Sequence, residues 1–260
     1  MDENESCETP FSKTECNDLL SAFEYPLKQY EVPYWNSHIL NFPPVRKLLE
    51  DCSNHGEQVT LEIRKHSLVI IDFLQHRMDI FYSRDNVHTI IEGRVDPLIF
   101  TPFLHDIRAL IVHSSCVSFD GRAAVFLAMD EGGKTTAANL CKGGRVLADD
   151  QIIFRKQDDG GWLAYGTPWT TFPPDPDHAV PAAFFLLEKA DEFSLTELSS
   201  RELFSFLWGE HFKIRFQIPS MYQTTLFDLY RELSSSASVY LMKSPKDYID
   251  QDAILKCMKP

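Results

Sequence analysis

Apolar and polar positions fall into short runs of different period along the chain, and the period sets the expected element. Val59-Thr60-Leu61-Glu62-Ile63 alternates apolar with polar and reads as a half-buried strand. Leu68 to Phe73 and Met78 to Tyr82 read as two more, so a small antiparallel sheet is expected before residue 95. Ahead of it, Pro43-Pro44 opens a short amphipathic helix through Val45, Leu48 and Leu49, because proline is tolerated in a first helical turn. Residues 1 to about 35 are polar and acidic, with one short helix expected at Lys13 to Phe23. The spacing of Ile99, Phe103, Ile107, Leu110 and Ile111 predicts a helix over Pro97 to Val112.

Beyond it the pattern changes to strand, turn and strand. Cys116 to Phe119, the Asp120-Gly121 hairpin and the apolar run Ala123 to Leu127 predict a buried pair. The second strand stops at Ala128-Met129-Asp130-Glu131-Gly132-Gly133-Lys134-Thr135-Thr136, which leads into the helix-compatible Ala137 to Leu140 and the stop signal Gly143-Gly144. Arg145 to Ala148 is a further buried strand that delivers Asp149-Asp150. Gln151 to Arg155 and Gly161 to Tyr165 flank a turn. A Pro-rich loop, Gly166 to Pro181, precedes the apolar run Ala182 to Leu187, with Phe184, Phe185 and Phe227 expected in the core and His178 exposed in the loop. Ser199-x-x-Glu202 is a capping box that opens a helix through Leu203, Phe206 and Leu207, and Val239 to Met242 is a last strand. The expected organisation is an α+β segment over residues 1–95, then an α/β domain with a mixed sheet over residues 96–260.

Composition narrows the partners. The 260 residues carry 25 Lys+Arg against 38 Asp+Glu, a net charge of −13, with no basic cluster, so neither nucleic acid nor an anionic membrane is an expected partner. No run approaches the roughly 20 apolar residues of a membrane helix. The acidic start Met1-Asp2-Glu3-Asn4-Glu5 is unlike a signal peptide, and a cytoplasmic location is expected. The six cysteines (Cys7, Cys16, Cys52, Cys116, Cys141, Cys257) show no metal-type spacing and read as free thiols.

The candidate chemistry lies where the buried strand ends. Ala128 to Thr135 fits G-x-x-x-x-G-K-[ST] with alanine at the first glycine, and it sits between a strand and a helix as a phosphate-binding loop requires. Gly132, Gly133, Lys134, Thr135 and Thr136 are the candidate nucleotide-binding residues. Lys134 would face the outer phosphates, and the Thr135 hydroxyl would ligate magnesium. Asp149 and Asp150 follow the next apolar strand, fourteen and fifteen residues after Thr135, where a P-loop kinase needs one carboxylate for metal and one for a base.

His113, the Asp120-Gly121 hairpin, the phosphate loop and Gly144-Arg145-Val146-Leu147-Ala148-Asp149-Asp150 together resemble the core of the HPr kinase/phosphorylase family, whose nucleotide-binding core is shared with ATP-dependent phosphoenolpyruvate carboxykinases. The resemblance is strongest over residues 113–155 and weaker to about 245. It implies an ATP- and Mg2+-dependent kinase acting on a serine-type hydroxyl of a peptide, protein or small metabolite. Asp149 would be the base, Lys134 and His113 its catalytic companions, and Thr135 and Asp150 the metal ligands. Homo-oligomerisation stays open. The chain departs from the family at Ala128 and at Asp130-Glu131, which replace Ser-Gly within the loop, and the family's long HPr-gripping signature is not recognised. Carboxylates near a triphosphate repel it, by roughly 1 kcal/mol per pair at 4 Å in water, unless they point outward or a cation intervenes. The Gly166 to Asp177 loop, with Thr167, Trp169, Thr170, Thr171, Phe172, Asp175 and Asp177, is a candidate acceptor pocket. The altered loop also admits a catalytically weakened protein of the same fold, nucleotide-dependent or nucleotide-blind, that binds a partner through the Gly166 loop, and, with less support from its sparse arginines, carboxykinase-like chemistry.

Overall fold

The computed structural model describes residues 27–32, 43–53, 59–63, 67–72, 75, 77–83, 104, 107–167, 170–172, 177–215 and 220–259. The helix expected at Lys13 to Phe23, together with Cys7, Cys16, Trp169 and Asp175, lies outside them. The chain divides into two compact units, Met1–Val95 and Asp96–Pro260.

In the first unit four strands, β1 (Leu27–Val32), β2 (Val59–Ile63), β3 (Ser67–Asp72) and β4 (Arg77–Ser83), form a sheet in the order β1-β4-β3-β2. The three runs expected as an antiparallel sheet are β2, β3 and β4, and β1 is an additional strand. β2, β3 and β4 do pair that way, but β1 joins β4 in parallel, so the sheet is mixed. Helix α1 (Pro43–Asp51) buries Val45 and Leu48 against Leu68, Ile70 and Phe81, which alternate onto one face of the sheet. Two buried carboxylates lie on this sheet. Asp79 pairs with Arg77 at 2.6 Å, and Asp72 accepts the Gln75 N–H at 3.0 Å and contacts the Cys52 thiol at 3.5 Å. Burial, reinforced by that carboxylate, pushes the Cys52 thiol up to about 11, which keeps it protonated.

The second unit is an α/β structure on a mixed sheet of eight strands. Its two longest strands, β5 (Ala109–Phe119) and β10 (His178–Lys189), each serve different neighbours at different ends. β5 pairs antiparallel with β6 (Arg122–Leu127) and β7 (Arg145–Ala148) through its second half, and with β8 (Gln151–Lys156) through its first. β10 runs parallel to β6 and to β12 (Ser238–Ser244), while its first residues pair with β9 (Trp162–Tyr165), itself antiparallel to β8. The sheet therefore curls back on itself from β6 through β5, β8 and β9 to β10. β11 (Ser194–Leu198) forms the edge beside β12.

One face is covered by α2 (Lys134–Leu140) and α5 (Gln251–Cys257), whose Ala137, Ala138 and Ile254 pack with Val117, Phe126, Phe185 and Met242. Helices α3 (Ser200–Arg215) and α4 (Ser220–Ser234) pack on each other, and the Tyr230 hydroxyl of α4 reaches the Ile111 carbonyl at 3.5 Å. The α3 start is a closed capping box, with Ser199 N–H and Oγ both 2.8 Å from Glu202 Oε2.

Three expectations are corrected here. The helix expected over Pro97 to Val112 is strand from Ala109 onward, because Ala109 to Val112 belong to an apolar run whose residues are buried on both sides of the sheet, a pattern that spacing alone does not separate from a helix. The loop expected to last until Pro181 ends at Asp177, and His178 is an exposed strand residue stacked near Tyr165. Pro181 is accommodated because the pairing with β6 shifts register between Pro181 and Ala183, the sort of irregularity at which a missing N–H is harmless. Phe227, expected in the core, is 40% exposed, whereas Phe184 and Phe185 are buried.

Candidate functional site

β6 runs out at Leu127 and the chain turns through Ala128 to Gly133 before α2 begins at Lys134. The turn is held by a Gly132 N–H donation to the Met129 carbonyl at 2.9 Å. Gly133 caps the helix at φ +97, a conformation glycine adopts without strain, and Glu131 stands at φ +59, which is unusual for a residue with a side chain. A Cβ on Gly132 would lie 2.4 Å from the Ala128 Cβ and 2.8 Å from the Met129 carbonyl oxygen, so with alanine at 128 only glycine fits at 132.

Lys134 is buried, and its ammonium donates to the Ala128 and Met129 carbonyls at 3.0 and 3.3 Å. Burial pushes it below the ordinary lysine value, against the attraction of Asp130, Asp150 and Glu210. The Ser115 hydroxyl of β5 fixes the Lys134 carbonyl at 2.8 Å. Asp130 is 88% exposed at its side chain and Glu131 is exposed, so both loop carboxylates project outward.

The two aspartates after β7 part company. Asp150 is half exposed and lies 3.0 Å from His113 Nε2, while His113 Nδ1 stands 3.6 Å from Asp130. Asp149 is 3% exposed and takes three donors: Oδ1 accepts the Thr170 hydroxyl at 2.9 Å and the Thr171 N–H at 2.8 Å, and Oδ2 accepts the Thr171 hydroxyl at 2.7 Å, with the Thr135 hydroxyl near enough to lower its pKa as well. Burial by itself would push its pKa up, but the donations from Thr171 and Thr170, with the nearby Thr135 hydroxyl, outweigh it and hold Asp149 below the ordinary carboxylate range.

Lys134, Thr135, Asp149, Asp150 and His113 are thus brought into one neighbourhood. Thr135 lies close to Asp149. No particular contact singles out Thr136. From the Gly166 loop, Thr170 and Thr171 reach Asp149, whereas Asp177 pairs with Arg145 at 2.8 Å. Ser115 and Glu210 were not expected: neither sits in a motif, and each is brought in by the fold, one from β5 and one from α3. Among the described residues no group of three or more His, Cys, Asp or Glu side chains is arranged to hold a metal ion, and no helix is long and apolar enough to cross a membrane.

No family model matches the chain, and no curated protein matches it. Among solved structures it is similar to the HPr(Ser) kinase/phosphatase from Coxiella burnetii, at 10% identity and a TM-score of 0.29, over 57% of this chain and 86% of that one. An overlap of that size identifies neither a fold family nor an activity.

Proposed function

We propose that the second unit is a P-loop nucleotide-binding domain and that the protein is a kinase of the HPr-kinase-like type, transferring the γ-phosphoryl group of Mg-ATP to a hydroxyl. The observation that carries this reading is the junction of Lys134 and Thr135 with a buried, multiply hydrogen-bonded carboxylate, Asp149, at the mouth of a strand-to-helix turn.

The residues suit the groups they would meet. The Lys134 ammonium already occupies the inside of the turn on two carbonyl oxygens, a position from which phosphate oxygens can replace them. A hydroxyl and carboxylates are the oxygen ligands that magnesium prefers. A nucleotide-borne magnesium ion needs only one or two protein ligands, so a dedicated metal cage is not required. Bound magnesium would supply charge neutralisation on the transferred group. Thr135, close to Asp149, offers its hydroxyl oxygen to the cation, while Asp150, beside His113, supplies the second oxygen ligand. Asp149 takes the proton of the acceptor hydroxyl. Lys134 stabilises charge that develops on the transferred group.

Asp149→Asn keeps the shape of the side chain but cannot take a proton. Turnover should fall by roughly 10²- to 10⁴-fold while Mg-ATP still binds. Asp150→Asn should give a defect that shrinks as magnesium is raised. Turnover against magnesium concentration for both variants, with a phosphorylatable peptide and metabolite pool present, is the test; equal and magnesium-insensitive losses contradict the division of labour. One observation favours a partner-binding protein instead: the outward Asp130 and Glu131 beside a lysine already satisfied by its own loop. Wild-type protein that binds Mg-ATP yet phosphorylates nothing in that pool would favour it.

A further inference from the structure

We propose that Thr171 is an acceptor of the phosphoryl group within its own chain, so that the protein phosphorylates itself at this position. The inference rests on the kinase reading above. Thr171 is an exposed residue whose hydroxyl lies 2.7 Å from Oδ2 of a carboxylate that is itself only 3% exposed. It donates its proton toward Asp149, which leaves its oxygen lone pairs directed away, as a nucleophile held by a base requires. The Thr135 hydroxyl of the phosphate loop lies close to the same carboxylate, so the expected magnesium ligand and the acceptor hydroxyl share one neighbourhood.

Asp149 grips Thr171 twice, through its main-chain N–H at 2.8 Å and through its hydroxyl. Thr170 is the poorer candidate. Its hydroxyl donates to Asp149 at 2.9 Å but also accepts the Phe172 N–H at 3.2 Å, which occupies a lone pair that an attack would use.

The step balances within these groups and a nucleoside triphosphate. The Thr171 Oγ1 proton passes to Asp149 while Oγ1 bonds to the terminal phosphorus. The bond from that phosphorus to the bridging oxygen breaks, and its electron pair leaves with the nucleoside diphosphate. Asp149 then gives that proton up to solvent, and the phosphothreonine repels the carboxylate so re-ionised, which frees Asp149 for a further acceptor.

The test uses the full chain with Mg-ATP, calorimetry for binding and mass spectrometry for the site and amount of phosphate, on the wild type, Thr171→Ser and Thr171→Val. The expected result is phosphate at Thr171 of the wild type, phosphoserine in Thr171→Ser, and none at position 171 in Thr171→Val. The rate per molecule should not change with protein concentration. Bound Mg-ATP with an unmodified Thr171, phosphate confined to another residue, or a rate that rises with protein concentration overturns the inference and leaves the phosphate-loop reading standing. An absence of Mg-ATP binding overturns both.

Discussion

At the scale of single residues, the loop is shaped by what each position excludes. Alanine at 128 fills the space that a Cβ at 132 would need, so Gly132→Ala forces a contact of 2.4 Å against that methyl group and 2.8 Å against the Met129 carbonyl. The turn should distort, costing about 1–3 kcal/mol. Nucleotide affinity should fall with it, which thermal melts and calorimetry on the same variant will measure. Asp149 gives a pH-dependent prediction. Its folded pKa lies below the ordinary carboxylate value, so its contribution to stability is fully present above about pH 4, the unfolded aspartate range, and is lost as pH falls through the lowered folded value. Asp149→Asn should melt lower than wild type at neutral pH, by about 2 kcal/mol of stability, and the gap should close in acid. A gap that is constant with pH would mean that charge on Asp149 plays no part. Of these residues, Lys134, Thr135, Asp149 and Asp150 were legible from spacing alone. The donors that set the state of Asp149 were visible only as polar members of a loop, since which of its hydroxyls points inward depends on how the loop folds back.

At the scale of elements, period and turn residues located most of the second unit's strands. β6 and β7 carry apolar runs bounded by turn signals, and the start of α3 is written in Ser199 and Glu202. Long strands were harder to read. β5 and β10 change partners along their length, so their burial follows neither a clean alternation nor one continuous run, and β10 also contains Pro181 at a register shift. α4 and α5 were not anticipated. The aromatic positions of α4 pack edge-on within the helix pair, Phe227 against Phe204 and Trp208, which leaves Phe227 partly exposed. α5 is short, yet Ile254 is fully buried in the core beneath α2, and its end is tied to β6 by Arg122, which donates to the Met258 carbonyl. Ile254→Ala should therefore cost about 2–5 kcal/mol, a large effect for a residue on a helix of 7 residues, readable by denaturant unfolding. A loss under about 0.5 kcal/mol would mean that α5 is not part of the core.

At the scale of the whole molecule, the site draws on β5, the turn after β6, the end of β7, the loop before β10 and α3, all within the second unit. Its charge is unusual for a phosphate site. Lys134 is attended by Asp130, Asp150 and Glu210, with Asp149 close by, in a chain of net charge −13. Metal-free ATP brings further negative charge into that field, and magnesium removes most of it. The central claim, that this is a site for a magnesium-bound nucleotide, is tested most directly by calorimetric titration of the wild type and of Lys134→Ala with ATP, with and without magnesium. The account predicts saturable binding of Mg-ATP to the wild type, weakened tenfold or more both by removing magnesium and by the Lys134→Ala change, which takes away a cation at the outer phosphates. Absence of binding, or binding that is indifferent to both, would contradict it.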